Sequence, residues 1–407
     1  MTPSTTPSSI DATPLRAIDV DAIAAWLVDG ARSAARSEDV LTEFCVRLTA
    51  SGLPLWRVAV YVYTLHPDIV ARRFLWRPGQ ATDVAEASFA MAKAEELSTS
   101  PIAHIRTTGE SIRRRVGDPD CPIDFAFLNE LRQEGVSDYL GLPLRFTNGE
   151  IHVATFTTRQ AGGFTDAEVG ALERIVPPLA RVAEVRALRR TAINLLDAYV
   201  GRKAGERILG GRIQRGDAEA IRAVIWLSDM RGFTKLADSL PPQSLLAILN
   251  TFYDGLVPAI EAEGGEVLKF IGDGLLAIFH IADEGEVGDA CARALRAARR
   301  AKKAIEALPP VGDPNAPTQL RFGLALHVGE VLYGNIGAGS RLDFTCIGPA
   351  VNLAARLEKI AAKLGRTIVG SDAFARRLPE DFFELGAFEL AGFRSAETVH
   401  GLREASD

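Results

Sequence analysis

In "VLKFIGDGLLAIF", residues 267–279, a lysine and an aspartate interrupt an otherwise apolar ribbon. Lys269 and Asp273 stand four apart, and Asp273 lies between Gly272 and Gly274. An unpaired buried charge costs several kcal/mol, so the ribbon keeps the two either as an ion pair or for chemistry. A second aspartate, Asp229, ends the apolar run "AVIWLSD" and is followed by "MRGFT". The amides of Arg231, Gly232, Phe233 and Thr234 there lead into a predicted helix N-terminus, a cradle for phosphate oxygens. Either aspartate alone reads as an ordinary turn or cap residue. Together, at two strand ends in glycine-containing turns, they make the minimal cage for Mg²⁺, which keeps water and substrate phosphate among its ligands. In "TCIGPAVNLAARLE", Asn352 and Arg356 are i and i+4 on a predicted helix and share a face. Leu353, Leu357, Ile360 and Leu364 mark an adjacent, packing face. An arginine so placed offers a planar donor fork to a phosphate in transfer.

These residues need elements to hold them. From Ala218 to about Leu402 the pattern is α/β: the strand "AVIWLSD", two helices within 234–262, the ribbon, and an Ala/Arg/Lys-rich helix in 286–307. After a Pro-rich loop come a hairpin around "LRFGLALHVGEVLYGNIG", the helix "AVNLAARLEKIAAKLG" and short closing strands. Upstream, from Asp19 to about Arg186, the pattern is α+β. Val58, Val60 and Val62 alternate as in a half-buried strand, and Asn148-Gly149 marks a hairpin. Thr165 and Glu168 form a capping box that opens a helix with a kink expected at Pro177-Pro178. A helical, Arg-rich stretch then runs to about Gly216, where Leu195, Leu196, Tyr199 and Val200 offer a dimer seam.

Composition narrows the classes. A chain of 407 residues allows two domains, each with its own core. A formal net charge of −6 gives no electrostatic case for nucleic acid or an anionic membrane. The basic run Arg293, Arg296, Arg299, Arg300, Lys302, Lys303 reads as a solvated helix face. Cys45, Cys121, Cys291 and Cys346 show no CxxC spacing, against a disulfide framework or thiolate zinc site. No apolar run approaches the roughly 18 residues of a bilayer span. The Ser/Thr/Pro-rich start lacks the order of a signal peptide, so residues 1–17 are expected to be a disordered tail on a cytoplasmic protein.

"WLSDMRGFT", "VLKFIGDGLLAIF" and "LHVGEVLYGNIGAGSRLDFTCIGPAVNLAARLE" together resemble the successive motifs of class III nucleotide cyclases, in family order and spacing across about 218–402. The resemblance implies an α+β fold with a ferredoxin-like βαββαβ core, acting as a head-to-tail homodimer with active sites at the interface. It assigns Asp229, Met230 and Asp273 to two Mg²⁺ or Mn²⁺ ions, Lys269 and Thr345 to the purine, Asn352 to the ribose and Arg356 to the α-phosphate. Many members carry Asp at the position of Thr345, and those with Thr form a subgroup that includes bicarbonate-responsive adenylyl cyclases. With Lys269, Thr345 favours ATP over GTP, since a lysine donates to adenine N1 but meets a donor at guanine N1.

One position departs from the family. Many members have a Leu-Lys-Gly segment whose lysine contacts the terminal phosphates, and here Ala391 takes that place, leaving Arg394 or Arg341 to supply charge. Residues 135–186 are similar to GAF sensor domains. The expected organisation is a GAF-like α+β domain at 18–186, a helical linker at 187–216 and a cyclase domain at 217–403. The expected activity is conversion of ATP to 3′,5′-cyclic AMP and pyrophosphate, with a small-molecule ligand of the GAF-like domain as a further expected partner. The alternatives are guanylyl cyclase activity and a non-catalytic nucleotide-binding regulator.

Overall fold

The computed structural model describes residues 19–92, 100–313, 316–339, 341–393 and 395–403, so the tail expected at 1–17 and Arg394 lie outside the described residues. The chain divides into two compact units, one up to Leu195 and one from Leu196.

In the first unit, β1 (Arg57–Tyr63), β2 (Ile69–Trp76), β3 (Asp83–Ser88), β4 (Ile112–Arg114), β5 (Asp138–Arg145) and β6 (Ile151–Thr158) form a six-stranded sheet in the order β3-β2-β1-β6-β5-β4. Its neighbours all pair antiparallel. Alternation sends Val58 and Val60 into one core with Phe44, Leu48 and Leu172, while Tyr139 and Val153 pack with Leu128 and Leu131 in another. The Asn148-Gly149 turn joins β5 to β6, with Gly149 at φ +87°. The capping box forms as its residue types require: the Thr165 amide donates to Glu168 Oε2 at 2.7 Å, and the Glu168 amide to Thr165 Oγ1 at 3.2 Å. The following helix, Asp166–Val200, runs on through Pro177 and Pro178 as one element. Leu172, Ile175, Val176 and Leu179 are buried on both sides of the prolines, and that packing offsets the lost backbone bonds. Along its later turns Leu195 and Tyr199 are exposed.

The second unit contains β7 (Ala218–Met230), β8 (Glu266–Ile271), β9 (Gly274–Ile281), a small ribbon of β10 (Val311–Asp313) with β11 (Ala316–Thr318), then β12 (Phe322–Ala338), β13 (Arg341–Ile347), β14 (Ile368–Ser371), β15 (Phe382–Phe388) and β16 (Glu397–Leu402). Helices Phe233–Ser239 and Pro242–Ala262 lie between β7 and β8, and helix Val287–Glu306 between β9 and β12. The central order is β12-β7-β9-β8, all antiparallel, which is the split βαββαβ arrangement expected. It makes β7 and β9 neighbours although more than forty residues separate their starts. β16 and β15 extend the sheet beyond β14, and β13 pairs with β12.

The segment expected to be a hairpin around 320–337 is instead one 17-residue strand, β12, and the reversal comes after it, between Ala338 and Arg341. Its internal glycines serve close approach, not turning. A Cβ on Gly334 would stand 2.1 Å from the Asp217 carbonyl oxygen, and one on Gly329 would stand 2.5 Å from the Ala350 Cβ. The bare backbone at Gly329 therefore lets helix Pro349–Lys363 settle on the sheet.

Helix Pro242–Ala262 has the length and hydropathy of a membrane span, which the polar residues inside it had obscured as a run. Its Ile248, Phe252, Leu256 and Ile260 are buried in the core of this unit. The basic run on helix Val287–Glu306 is ion-paired: Arg293 with Asp289, Arg296 and Arg300 with Glu263, Arg299 with Asp381.

His327, in the middle of β12, is buried with Nδ1 2.8 Å from Ser371 Oγ. Burial depresses its imidazole from the ordinary value near 6.5 to about 4. A base whose folded value is lowered binds fewer protons than the unfolded chain, so stability is lost as pH falls from about 6.5 to 4. Urea melts of the wild type and His327→Asn should show this loss, on the order of 3 kcal/mol at most, only in the wild type.

Candidate functional site

The tip of the β8–β9 ribbon is a two-residue turn, Gly272-Asp273, closed by the pairing of Ile271 with Gly274. Gly272 takes φ +62°, which a side chain would resist. Gly274 lies opposite Asp229 on β7, and a Cβ there would meet the Ser228 carbonyl oxygen at 2.8 Å. The two glycines thus have different reasons, one torsional and one steric, and both deliver Asp273 beside β7. The Met230 amide donates to the Asp273 carbonyl oxygen at 3.3 Å and fastens the turn to the strand end.

The result is a pair of adjacent carboxylates. The Asp229 carboxyl is pushed up to about 6, first by burial, then by the charges of Asp273 and Glu358, with Arg231 alone opposing. Tyr253, whose hydroxyl donates to the Gly272 carbonyl at 2.7 Å, is raised by burial and by the same two aspartates. Among the described residues no third His, Cys, Asp or Glu joins them in a metal-sized cluster. Hard oxygen donors whose repulsion Arg231 offsets only in part fit a Mg²⁺ or Mn²⁺ ion, whose remaining positions water and phosphate fill.

Lys269 turns away from Asp273. Its Nζ is ion-paired with the Asp343 carboxylate of β13. Asp343 escaped the sequence reading, although it stands two residues before Thr345 and so shares its face of the strand. Thr345 is buried, opposite Gly334. Asn352 and Arg356 lie on helix Pro349–Lys363, seated by Leu353, Leu357 and Ile360. Asn352 is exposed, and Arg356 Nε donates to the Ala391 carbonyl oxygen at 3.4 Å. The transition-state arginine of the expected set therefore reaches the very segment in which the family lysine is missing. Arg341 is exposed at the start of β13.

The expected cradle is smaller than anticipated. The Arg231 amide donates to the Arg321 carbonyl oxygen at 2.8 Å, so only Gly232, Phe233 and Thr234 remain to face an anion. The Arg231 side chain reaches Glu358 Oε1 at 2.6 Å. Glu358, buried one turn beyond Ala354 on the same helix, also escaped the sequence reading because nothing in spacing alone pairs residues 127 apart.

Comparison with known proteins bears on this arrangement. Residues 218–399 match the family described as the adenylate and guanylate cyclase catalytic domain. An adenylate cyclase of Anabaena cylindrica is 33% identical over 177 residues, 42% of this chain and 34% of that protein. Adenylate cyclase 1 of Rhizobium meliloti is 28% identical over 177 residues, 42% of this chain and 26% of that protein. The chain thus spans about a third or less of these relatives. The crystal structure of the adenylyl cyclase CyaB from P. aeruginosa aligns with a TM-score of 0.41 at 22% identity, covering 46% of this chain and 97% of that one.

A raised carboxyl binds its proton more tightly folded than unfolded, so Asp229 withdraws stability as pH rises from about 4 to 6. A divalent cation offsets that only once the proton is gone. Added Mg²⁺ should therefore raise the thermal midpoint by a few degrees at pH 7.5 and much less at pH 5. Asp229→Asn should abolish the Mg²⁺ effect at both.

Proposed function

We propose, with residues 218–399 as an adenylate and guanylate cyclase catalytic domain, that this chain is an adenylyl cyclase of the Thr-type, bicarbonate-responsive-like subgroup. It converts ATP to 3′,5′-cyclic AMP and pyrophosphate in the cytoplasm as a homodimer with composite sites. The observation that carries this reading is the Asp229–Asp273 carboxylate pair, held in mutual repulsion at the strand ends.

Asp229, Met230 and Asp273 would hold two Mg²⁺ or Mn²⁺ ions, which supply Lewis acidity to the phosphates and to the ribose 3′-hydroxyl. Because the 3′-oxygen attacks the α-phosphorus of the same molecule, the protein's task is to orient and to neutralise charge. Asn352 orients the ribose, and Arg356 meets the charge that builds on the α-phosphate as the bond to pyrophosphate breaks. Gly232, Phe233 and Thr234 donate amides to the outer phosphates, with Arg341 supplying positive charge near them. Lys269 donates to adenine N1, which supports ATP as substrate, and Thr345 takes the second base position. The adenylate cyclases among the relatives support the same choice over GTP.

The domains proposed are a GAF-like regulator at 18–186, a helical linker at 187–216 and the catalytic domain at 217–403. The antiparallel sheet with helical cores on both faces supports the first of these, which takes a small-molecule ligand or acts by dimerising. A second reading, a nucleotide-binding regulator without turnover, draws on Ala391. The retention of Asp229, Asp273, Asn352 and Arg356 weighs against it.

Purified protein with Mg²⁺ or Mn²⁺, offered ATP and GTP separately, should form cyclic AMP from ATP as its main product. Asp273→Asn should lower turnover by roughly 10²–10³. Cyclic GMP as main product would refute the base assignment, and tight ATP binding without turnover would favour the regulator.

A further inference from the structure

The geometry points to the Arg231–Glu358 ion pair as a positioning lock that fixes the turn bearing Asp229 onto the helix bearing Asn352 and Arg356. Arg231 is two residues beyond Asp229, and Glu358 is two beyond Arg356. Their bridge, Nη1 to Oε1 at 2.6 Å, is a charged link between the two elements that carry metal-binding and transition-state residues, added to the apolar packing of Ile225 with Ala350 and Ala354. Glu358 is 8% exposed, so its charge has little bulk water to lean on and is met by the guanidinium.

The sheet is shaped to receive that guanidinium. Gly323 on β12 sits opposite Asp229, and a Cβ there would fall 1.6 Å from Arg231 Nη2 and 2.1 Å from Cζ. Any side chain at 323 would evict Arg231. Nη2 itself is buried with no acceptor, and the Arg231 amide is held by the Arg321 carbonyl oxygen. Arg231 is therefore held at its amide and at Nη1, and Nη2 is enclosed against the bare backbone of Gly323. In this arrangement it acts through Asp229 and the helix and does not touch substrate.

The kinetic part of this inference rests on the cyclase reading, and a metal-binding measurement keeps the two separable. Mn²⁺ affinity is read by electron paramagnetic resonance without nucleotide in Glu358→Gln, Arg231→Met, their double variant and Gly323→Ala. A lock predicts that all weaken Mn²⁺ in the same direction, by roughly tenfold, with the double variant no worse than the weaker single. It also predicts kcat down about 10–100-fold with the KM for ATP nearly unchanged. Arg231→Lys keeps the charge without the planar fork and should fall between these and the wild type, which keeps the test decisive if a charge-removing variant fails to fold.

Opposite shifts in Mn²⁺ affinity for Glu358→Gln and Arg231→Met would reduce the pair to a local charge effect and overturn the lock. So would wild-type affinity in Gly323→Ala. A raised KM with unchanged kcat in Arg231→Met would make Arg231 a phosphate ligand instead. If the wild type forms no cyclic nucleotide, the cyclase reading fails, while the Mn²⁺ series still decides the lock.

Discussion

Two carboxylates pressed together at adjoining strand ends are the constraint on which the rest of the second unit turns. Burial strips water from Asp229, and the charges of Asp273 and Glu358 add repulsion, so its carboxyl is driven up to about 6. A fold does not keep such a pair without something that needs it. The split βαββαβ order supplies the proximity by making β7 and β9 neighbours. Gly272, Gly274 and the bond from the Met230 amide to the Asp273 carbonyl set the approach. Remove any of these and the carboxylates separate, which would relieve the repulsion and disperse a metal site.

The same ribbon resolves the ambiguity of its lysine. Lys269 and Asp273 are not an ion pair: the lysine is drawn to Asp343 on β13, and the aspartate to the end of β7. One short ribbon thus carries charge to two different neighbourhoods. In the proposed head-to-tail dimer those neighbourhoods belong to different active sites, with Asp273 serving one and Lys269 the other. Around them, helix Pro349–Lys363 is set down by the bare backbone at Gly329 and tied across by Glu358 to Arg231.

Much of this was legible in the sequence because it is local. The ribbon turn, the capping box at Thr165 and Glu168, the Asn148-Gly149 hairpin and the Asn352/Arg356 face follow from residue type and short spacing. The long strand β12 was not. The segment reads as a hairpin, yet it runs on as one strand in which Gly334 and Gly329 admit Asp217 and Ala350, neighbours that only the fold supplies. Asp343 and Glu358 went unnoticed for the same reason: each pairs with a residue at least 74 positions away, Lys269 and Arg231. Spacing along the chain locates the chemical groups, and their counter-charges come from across the sheet.

The central claim, that Asp273 and Lys269 of one chain serve different active sites, is tested most directly by complementation. Lys269→Ala and Asp273→Asn are each prepared as inactive homodimers, then mixed and allowed to exchange subunits. Mixed dimers contain one site with both lesions and one with neither, so cyclic AMP formation should return toward about half the wild-type rate per mixed dimer. Mixed dimers shown by mass to have formed, yet without activity, would place both residues in a single site and contradict the account.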